Sequence, residues 1–147
     1  SDCLEPVLFL ELYPGTSFEI FIEVVDADGG TRCASTTVAA LALADAGVPM
    51  RSLVTSCAVG KIDGKLVTDL SGVEDKAGEA DLPTAITWFN DEISLLQFDG
   101  KMTKDEVDTS LDMAQDALEK IYEMQLDALK RKYIKIQQDV HEMEVEE

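Results

Sequence analysis

The sequence predicts an α+β layer sandwich in the order strand, helix, four antiparallel strands and long helix. Three observations support this fold class. Side chains alternate along 18–25, an Asp-Gly pair joins two β-type runs, and apolar residues recur every three or four positions through 103–140. With 147 residues, 46% of them hydrophobic, the chain is long enough for one domain with its own core.

No internal repeat, low-complexity linker or second core divides the sequence. We therefore expect one domain over 1–141, followed by an acidic tail at 142–147 that frays. The first residue is Ser rather than Met, so we also expect that the chain has lost an N-terminal part. His141 is the only histidine and lies beside the tail, which gives histidine-based nucleophilic catalysis little support.

The first apolar run, 7–12, stops at the turn signal Tyr13-Pro14-Gly15. So short a run fits either the end of a buried helix or a buried strand. The following stretch, 18–25, alternates along its length, with apolar residues filling one of its two faces. This pattern predicts a strand.

The stretch 33–46 consists mainly of Ala, Leu, Val, Ser and Thr and is apolar nearly all round, which predicts a buried helix. Gly47 and Pro49 end it. The residues before it, Gly30, Thr31 and Arg32, follow a second glycine, and a glycine turn that opens a helix can bind an anion. The alternative is a tight turn in which Thr31 caps the helix and Arg32 faces solvent or a nearby acid.

Two β-hairpins are predicted next. In the first, 53–59 and 65–69 flank Asp63 and Gly64, a pair typical of tight hairpin turns. In the second hairpin, the turn Asn90-Asp91 joins the strands 84–89 and 92–98. Asp99-Gly100 follows and is expected to end the sheet.

Between the hairpins, 66–81 contains four acidic residues within eight positions, Glu74, Asp75, Glu79 and Asp81. Like charges this close repel each other, and one carboxyl should have a raised pKa unless a cation or a proton lies between them. Such crowding is used in proteins to bind a metal or to move a proton. The alternative is a solvated acidic loop in an acidic protein.

Thr103 and Glu106 fit a capping box at the start of a long helix that runs to about Val140. Its apolar residues form two series with a one-residue slip between them. The first should cover the sheet, and the second should expose a stripe to a partner subunit. The series are Val107, Leu111, Ala114, Leu118 and Ile121, then Tyr122, Leu126, Leu129, Tyr133, Ile136 and Val140.

A formal net charge of −18 argues against this surface gripping nucleic acid by itself, because neutralising phosphates needs Lys and Arg. Basic groups must come from elsewhere, unless the substrate is not a polyanion; a halophilic source could also explain the charge. The three cysteines have no CxxC spacing and fit a reducing compartment. No signal peptide and no apolar run of membrane-spanning length is present, so no membrane partner is expected.

Three stretches taken together resemble the RNase PH family of phosphorolytic 3′-to-5′ exoribonucleases, and within it the catalytic subunits of archaeal RNA exosomes. They are 26–32, 43–51, and the acidic segment in which Asp69-Leu70 precedes Glu74-Asp75 and Gly78-Glu79-Ala80-Asp81. The resemblance extends from about residue 1 to residue 136. It implies the family's fold, a ribosomal protein S5 domain 2-like layer sandwich of mixed sheet and helices.

The resemblance implies that RNA is degraded from its 3′ end with inorganic phosphate, releasing nucleoside diphosphates. It assigns Gly30, Thr31 and Arg32 to the loop that binds the attacking phosphate. Asp75 and Asp81 match the family's acidic pair, which binds a divalent ion, expected to be Mg²⁺, or helps to transfer a proton. Protonated Asp81 as general acid is the competing account.

The partners that the resemblance implies are a homologous, inactive ring subunit in a hexamer, an RNA-binding cap subunit and single-stranded RNA, in the cytoplasm. The missing N-terminal part would carry the first strands and a pair of arginines that hold RNA. Two alternatives remain: a catalytically silent ring subunit, and a stand-alone RNase PH that trims tRNA 3′ ends.

Overall fold

The computed structural model describes residues 2–145, and the side chains through residue 138. Two short 3₁₀ turns, Glu5–Val7 and Leu10–Leu12, precede the regular elements. These elements, in chain order, are α1 (Thr31–Asp45), β1 (Val54–Ile62), β2 (Lys65–Thr68), α2 (Gly72–Ala77), β3 (Ala80–Thr87), β4 (Glu92–Leu96), β5 (Asp99–Gly100) and α3 (Lys104–Val145).

The predicted α+β sandwich is confirmed, with one sheet in the order β2-β1-β3-β4 and helices packed on it. Both predicted hairpins form, β1 with β2 and β3 with β4. Asp63 and Gly64 both adopt positive φ, 47° and 71°, as a type I′ turn requires. All pairings in the described sheet are antiparallel, so the expectation of a mixed sheet is wrong for it. β2 and β3 lie on either side of β1 and both run antiparallel to it, so the segment with the six-residue α2 that joins them crosses over β1.

The segment 18–25 is not a strand, contrary to the sequence prediction. It has no regular secondary structure, and within the described residues it pairs with no neighbouring strand. Apart from Phe18, which is partly buried against a core cluster, its apolar side chains are exposed, with Phe21 at 89% and Val25 at 93% of full accessibility. Alternation favours a strand only where a neighbour accepts the backbone hydrogen bonds and a layer covers one face, and here neither condition is met.

The first apolar run is neither a helix end nor a paired strand. Its 3₁₀ turns bring Val7 and Leu8 against the inner face of α1, where they join a core cluster with Leu43 and Val54. The backbone is held there by a hydrogen bond from the Arg51 N–H to the Val7 carbonyl at 2.7 Å. Leu8 also forms an isolated bridge with Met50, so the run is attached to the residues that follow α1.

The long helix α3 begins with the predicted capping box, in which the Thr103 N–H donates to Glu106 Oε2 at 2.7 Å and the Glu106 N–H donates to Thr103 Oγ1 at 3.3 Å. Ala114 and Leu118 of the first apolar series are buried against Cys57, Val59 and Ile86 of the sheet. In the second series Tyr133 is 51% exposed and Ile136 is 46% exposed, as expected, while Val140 lies outside the described side chains.

The predicted end of the long helix is wrong. The helix α3 extends to Val145, so residues 142–145 of the expected acidic tail are helical, while 146–147 lie outside the described residues. Asp99-Gly100 ends the sheet as predicted, and it does so as the short strand β5, which pairs with Ala80 and Asp81. No helix within residues 2–145 has the length and apolarity needed to cross a membrane.

Candidate active site

A cavity of about 290 Å³ lies where the start of α1, the helix α2 and the start of β3 meet. It is lined by all five residues that the family resemblance assigns to the site, namely Gly30, Thr31, Arg32, Asp75 and Asp81. These residues come from three separate elements, and the fold places them around one space. The candidate site is therefore a single cavity with a glycine turn and an arginine together with two carboxyl groups.

The helix start forms the electropositive part of the cavity. Gly30 is the N-cap of α1, adopts a left-handed conformation with φ 60°, and makes no side-chain capping hydrogen bond. Thr31 is the first helical residue, so the alternative in which it caps the helix is wrong. The first N–H groups of α1 therefore have no side-chain acceptor from the N-cap, and they carry the positive end of the helix dipole.

Arg32 adds a cationic side chain beside these N–H groups, and its orientation is held from the sheet. Its Nη1 donates to Gln97 Oε1 at 3.0 Å. Gln97 is in turn fixed by its own N–H, which donates to the Pro83 carbonyl at 3.0 Å. No sequence pattern links Gln97 to Arg32, because the two residues lie 65 positions apart.

Asp81 is the carboxyl whose environment is most unusual. One of its oxygens, Oδ1, is buried and has no hydrogen-bond partner within the described residues. Burial raises the pKa of Asp81 above its ordinary value, and the nearby charge of Asp75 raises it further, while Arg32 opposes the shift. Asp81 is therefore the member of the acidic pair that is best suited to hold a proton.

Asp75 lies in α2 and is exposed, so its carboxylate faces the cavity from the solvent side. The other two acids of the segment have structural contacts. Glu74 completes a capping box with Ser71, whose hydrogen bonds lower the pKa of Glu74. Glu79 accepts a hydrogen bond from the Gly64 N–H at 2.7 Å and forms an ion pair with Lys61. This leaves Asp75 and Asp81 as the pair at the cavity.

The oxygens of Asp75 and Asp81 are of the kind that Mg²⁺ prefers, and the unpartnered Asp81 Oδ1 could serve as a ligand atom. The described residues contain no group of three or more His, Cys, Asp or Glu side chains able to enclose a metal ion. Mg²⁺ in phosphate chemistry is usually bound by one or two carboxylates together with substrate phosphates and waters. The acidic pair therefore fits an ion that is shared with a substrate, but not a closed structural metal site.

A larger cavity of about 760 Å³ lies next to this one, between α1, α3 and β1. It shares Gly30 and Cys33 with the smaller cavity, but Val38, Met113 and Ile121 make its wall mainly apolar. Arg32, Asp75 and Asp81 do not line it. We therefore place the candidate chemistry in the smaller cavity, despite its size.

Comparison with known protein families gives two matches that together span most of the chain. Residues 1–49 match the model described as "3′ exoribonuclease family, domain 1". Residues 52–117 match the one described as "3′ exoribonuclease family, domain 2". The border between the two matches falls between α1 and β1.

Similar curated proteins bear the name "Exosome complex component Rrp41". The protein from Pyrococcus horikoshii is 52% identical over 141 residues, which are 96% of this chain and 57% of that protein. The Pyrococcus abyssi protein is 53% identical over 93% of this chain and 55% of its own length. The Methanosarcina mazei protein is 47% identical over 90% of this chain and 27% of its own length. The chain thus spans little more than half, or less, of these relatives.

The crystal structure of rice Rrp46 resembles this fold, with a TM-score of 0.67 over 72% of this chain and 51% of that chain. At 17% sequence identity this likeness concerns the fold alone. The family matches, the curated relatives and the shared fold agree with one another. This chain belongs to the 3′ exoribonuclease family, of the RNase PH type.

Proposed function

We propose that this chain carries the catalytic site of a phosphate-dependent 3′-to-5′ exoribonuclease that degrades RNA to nucleoside diphosphates in the cytoplasm. The observation that carries the proposal is the cavity in which Arg32 and the start of α1 lie beside Asp75 and Asp81. Family membership supports the reaction class, and the names of the relatives support a role within an exosome complex.

The reaction explains why cationic and acidic groups share one cavity. Phosphorolysis brings an inorganic phosphate against an RNA phosphodiester, so the site must offset the repulsion between two anions. Arg32 and the first N–H groups of α1 bind the incoming phosphate and orient it. Holding the two reactants in this geometry lowers the entropic part of the barrier.

The chemical step needs a proton for the leaving group. An oxygen of the bound phosphate forms a bond to the phosphorus of the terminal nucleotide, and the bond from that phosphorus to the 3′-oxygen of the preceding nucleotide breaks. Asp81 donates its proton to this 3′-oxygen, and the terminal nucleotide leaves as a diphosphate. The raised pKa of Asp81 favours this role, because its protonated form persists to higher pH than that of an ordinary Asp.

A bound Mg²⁺, held by Asp75 and Asp81, would supply charge neutralisation at the phosphates. In this account Asp81 is an ionised ligand instead of a proton donor. The two roles require opposite protonation states of the same carboxyl group, so the pH dependence of the reaction separates them. In both accounts Asp75 acts from the exposed side of the cavity.

The assembly that we propose is a hexameric ring with a homologous, inactive RNase PH-like subunit, joined by an RNA-binding cap subunit, with activity confined to the ring. The net charge of −18 supports this proposal, since such a chain needs basic groups from a partner to hold a polyanion. The exposed apolar side chains of Tyr133, Ile134 and Ile136 on α3 offer a surface for contacts with other subunits.

The test uses the full-length protein that contains this chain, assembled with its ring partner, and single-stranded RNA with or without inorganic phosphate. Nucleoside diphosphates should appear only when phosphate is present. Asp81→Asn should assemble and bind RNA but lose about 10²- to 10⁴-fold in rate. Asp63→Asn is a matched control, because Asp63 lies in the hairpin turn, where Asn tolerates the positive φ of 47°.

Three results would contradict the proposal. Release of nucleoside monophosphates without phosphate would indicate hydrolysis. An assembled ring that lacks turnover would favour the silent structural subunit. A homohexamer that trims tRNA without a partner would favour the stand-alone enzyme.

A further inference from the structure

Residues 26–32, which we call the phosphate loop, are attached to the first turn of α2. Asp28 Oδ1 accepts a hydrogen bond from the Gly72 N–H at 2.9 Å, across 44 positions of sequence. Gly72 is the first residue of α2, the helix that carries Asp75. Asp28 itself does not line the cavity. Its carboxylate therefore acts on the neighbouring helix and not on a ligand in the cavity.

The two segments fit against each other at the level of the backbone. A Cβ atom at Gly29, where φ is 88°, would lie 2.3 Å from the Leu70 carbonyl oxygen. A Cβ atom at Gly72 would lie 3.3 Å from the Gly29 nitrogen. No side chain could occupy position 29 without moving one segment away from the other. The phosphate loop and the start of α2 are thus in direct contact.

The segment before α2 is itself anchored to the sheet. Asp69 adopts a positive φ of 61°, unusual for a residue with a side chain. The next residue, Leu70, is buried and packs on Gly60, where a Cβ atom would lie 2.1 Å from Leu70 Cδ1. The side chain of Leu70 is therefore held in the core while its carbonyl faces Gly29.

The remaining hydrogen bonds of the α2 start do not reach the phosphate loop. The capping box joins Ser71 to Glu74, within the helix and its cap. In the described part of the chain, the hydrogen bond from Gly72 to Asp28 is the one that joins 26–32 to 69–77. A carboxylate near a phosphate site is electrostatically unfavourable, so an acceptor role explains Asp28 better than a charge role does.

We propose that Asp28 is a positioning residue, which sets the distance between the phosphate loop and Asp75 through its hydrogen bond to Gly72. The inference rests on the proposed function, because it assigns Asp28 to the geometry of the same site. A misplacement of about 1 Å in such a site can cost on the order of 10²-fold in rate. Loss of this bond should therefore affect turnover more than binding.

The test compares Asp28→Ala, Asp28→Asn and Asp26→Ala in the full-length, assembled protein. Asp28→Ala removes the acceptor, and kcat should fall by about tenfold to a hundredfold. The apparent KM for phosphate should change by less than about threefold, because Gly30 to Arg32 remain on α1. Asp28→Asn keeps an oxygen acceptor and should restore kcat. Asp26→Ala removes the same charge from the same loop. Within the described residues the side chain of Asp26 bonds to the adjacent Ala27 N–H and not to α2, so kcat should not change.

Two further measurements separate positioning from a general loss of structure. In an Asp75→Asn background, Asp28→Ala should cause little further loss, because the group that it positions is already absent. Amide hydrogen exchange over 72–75 should be faster in Asp28→Ala and unchanged in Asp28→Asn, with the melting temperature close to that of the wild type.

Wild-type kcat in Asp28→Ala would overturn the inference, as would an Asp28→Asn variant as slow as Asp28→Ala. Full additivity with Asp75→Asn would also contradict it. Failure of the proposed function would look different. The wild-type assembly would then release no nucleoside diphosphate, while the exchange rates over 72–75 would still decide whether Asp28 holds α2.

Discussion

Arg32 and Gln97 form a hydrogen bond between the phosphate loop and the chain segment that follows β4, with 3.0 Å between Nη1 and Oε1. Both side chains are exposed, so the bond contributes little to stability. The bond instead fixes the orientation of the Arg32 side chain. An arginine side chain normally loses rotamer entropy when it binds a ligand, and because Gln97 already holds Arg32, less of this entropy is lost when phosphate binds.

We expect Arg32→Ala to raise the apparent KM for phosphate by on the order of tenfold or more, since a charge-assisted hydrogen bond is lost. Gln97→Ala should raise it by a smaller factor, about two- to fivefold, because Arg32 keeps its charge but loses its fixed orientation. Initial rates of nucleoside diphosphate release at varied phosphate concentrations measure both effects.

Gln115→Ala is the control for this prediction, because Gln115 is a glutamine on α3 that bonds to Glu119, outside the smaller cavity. Its kinetics should match those of the wild type. An unchanged phosphate dependence in Arg32→Ala would remove Arg32 from the phosphate site.

The pH dependence of turnover distinguishes the two roles of Asp81. If Asp81 donates the proton, kcat should fall as the pH rises through its raised pKa. Asp75→Asn removes a like charge and should lower the pKa of Asp81, so the fall in kcat should occur at lower pH. Carbon NMR titration of the Asp81 carboxyl group provides the matching measurement. A rate that instead rises as Asp81 ionises would support the metal-ligand role.

The same pKa shift predicts a sign for the stability of Asp81→Asn. Because the folded protein raises the pKa of Asp81 above 3.8, the contribution of Asp81 to stability is present below that pH and is lost as the pH rises through the raised pKa. At neutral pH, Asp81→Asn should therefore melt at the same temperature as the wild type or higher. The difference should shrink in acid. A large destabilisation at neutral pH would show that the carboxylate has a structural partner.

Trp88 links the end of β3 to α3 and should make a measurable contribution to stability. Its ring stacks on Tyr122, with centroids 4.4 Å apart and planes 15° apart. Its Nε1 also donates to the buried Thr55 Oγ1 at 2.9 Å. Trp88→Phe should lower the free energy of unfolding by about 1 to 3 kcal/mol, because the Thr55 hydroxyl loses its donor.

Urea unfolding followed by circular dichroism measures this effect, since the variant lacks the only tryptophan. A double-mutant cycle of Trp88→Leu with Tyr122→Leu, in which each single variant removes one ring, should give a coupling energy of about 0.5 to 1.5 kcal/mol for the ring pair. Additive losses would show that the stacking is not energetically coupled.

The exposed end of α3 is predicted to take part in assembly. Tyr133 and Ile134 are about half exposed in this chain, at 51% and 52%. Ile134→Asp should weaken association with the ring partner while leaving the helical content nearly unchanged. Gln137→Glu adds a charge nearby without removing an apolar group, and it should assemble normally. Sedimentation velocity at several concentrations would show the difference, and equal assembly by both variants would contradict the prediction.

The sequence by itself determined those features that depend on neighbouring residues. The Asp63-Gly64 turn, the Thr103–Glu106 capping box and the helix around 33–46 follow from backbone conformation and side-chain periodicity over a few positions. The burial of that helix was overestimated, because only Cys33, Ala39, Ala40 and Leu43 are buried and Val38 is 51% exposed. The resemblance to a known family also selected five of the residues that line the cavity, although the distances between their elements could not be read from their spacing.

Only the tertiary structure decided which groups from distant parts of the chain meet. Among the residues that the structure describes, 18–25 has no strand partner despite the alternation, whereas Arg32 meets Gln97 and Asp28 meets Gly72. One oxygen of Asp81 is also buried, with no hydrogen-bond partner in that part of the chain. The physical reason is that strand pairing, burial and pKa shifts depend on neighbours in space, whereas propensity and periodicity reflect only neighbours in sequence.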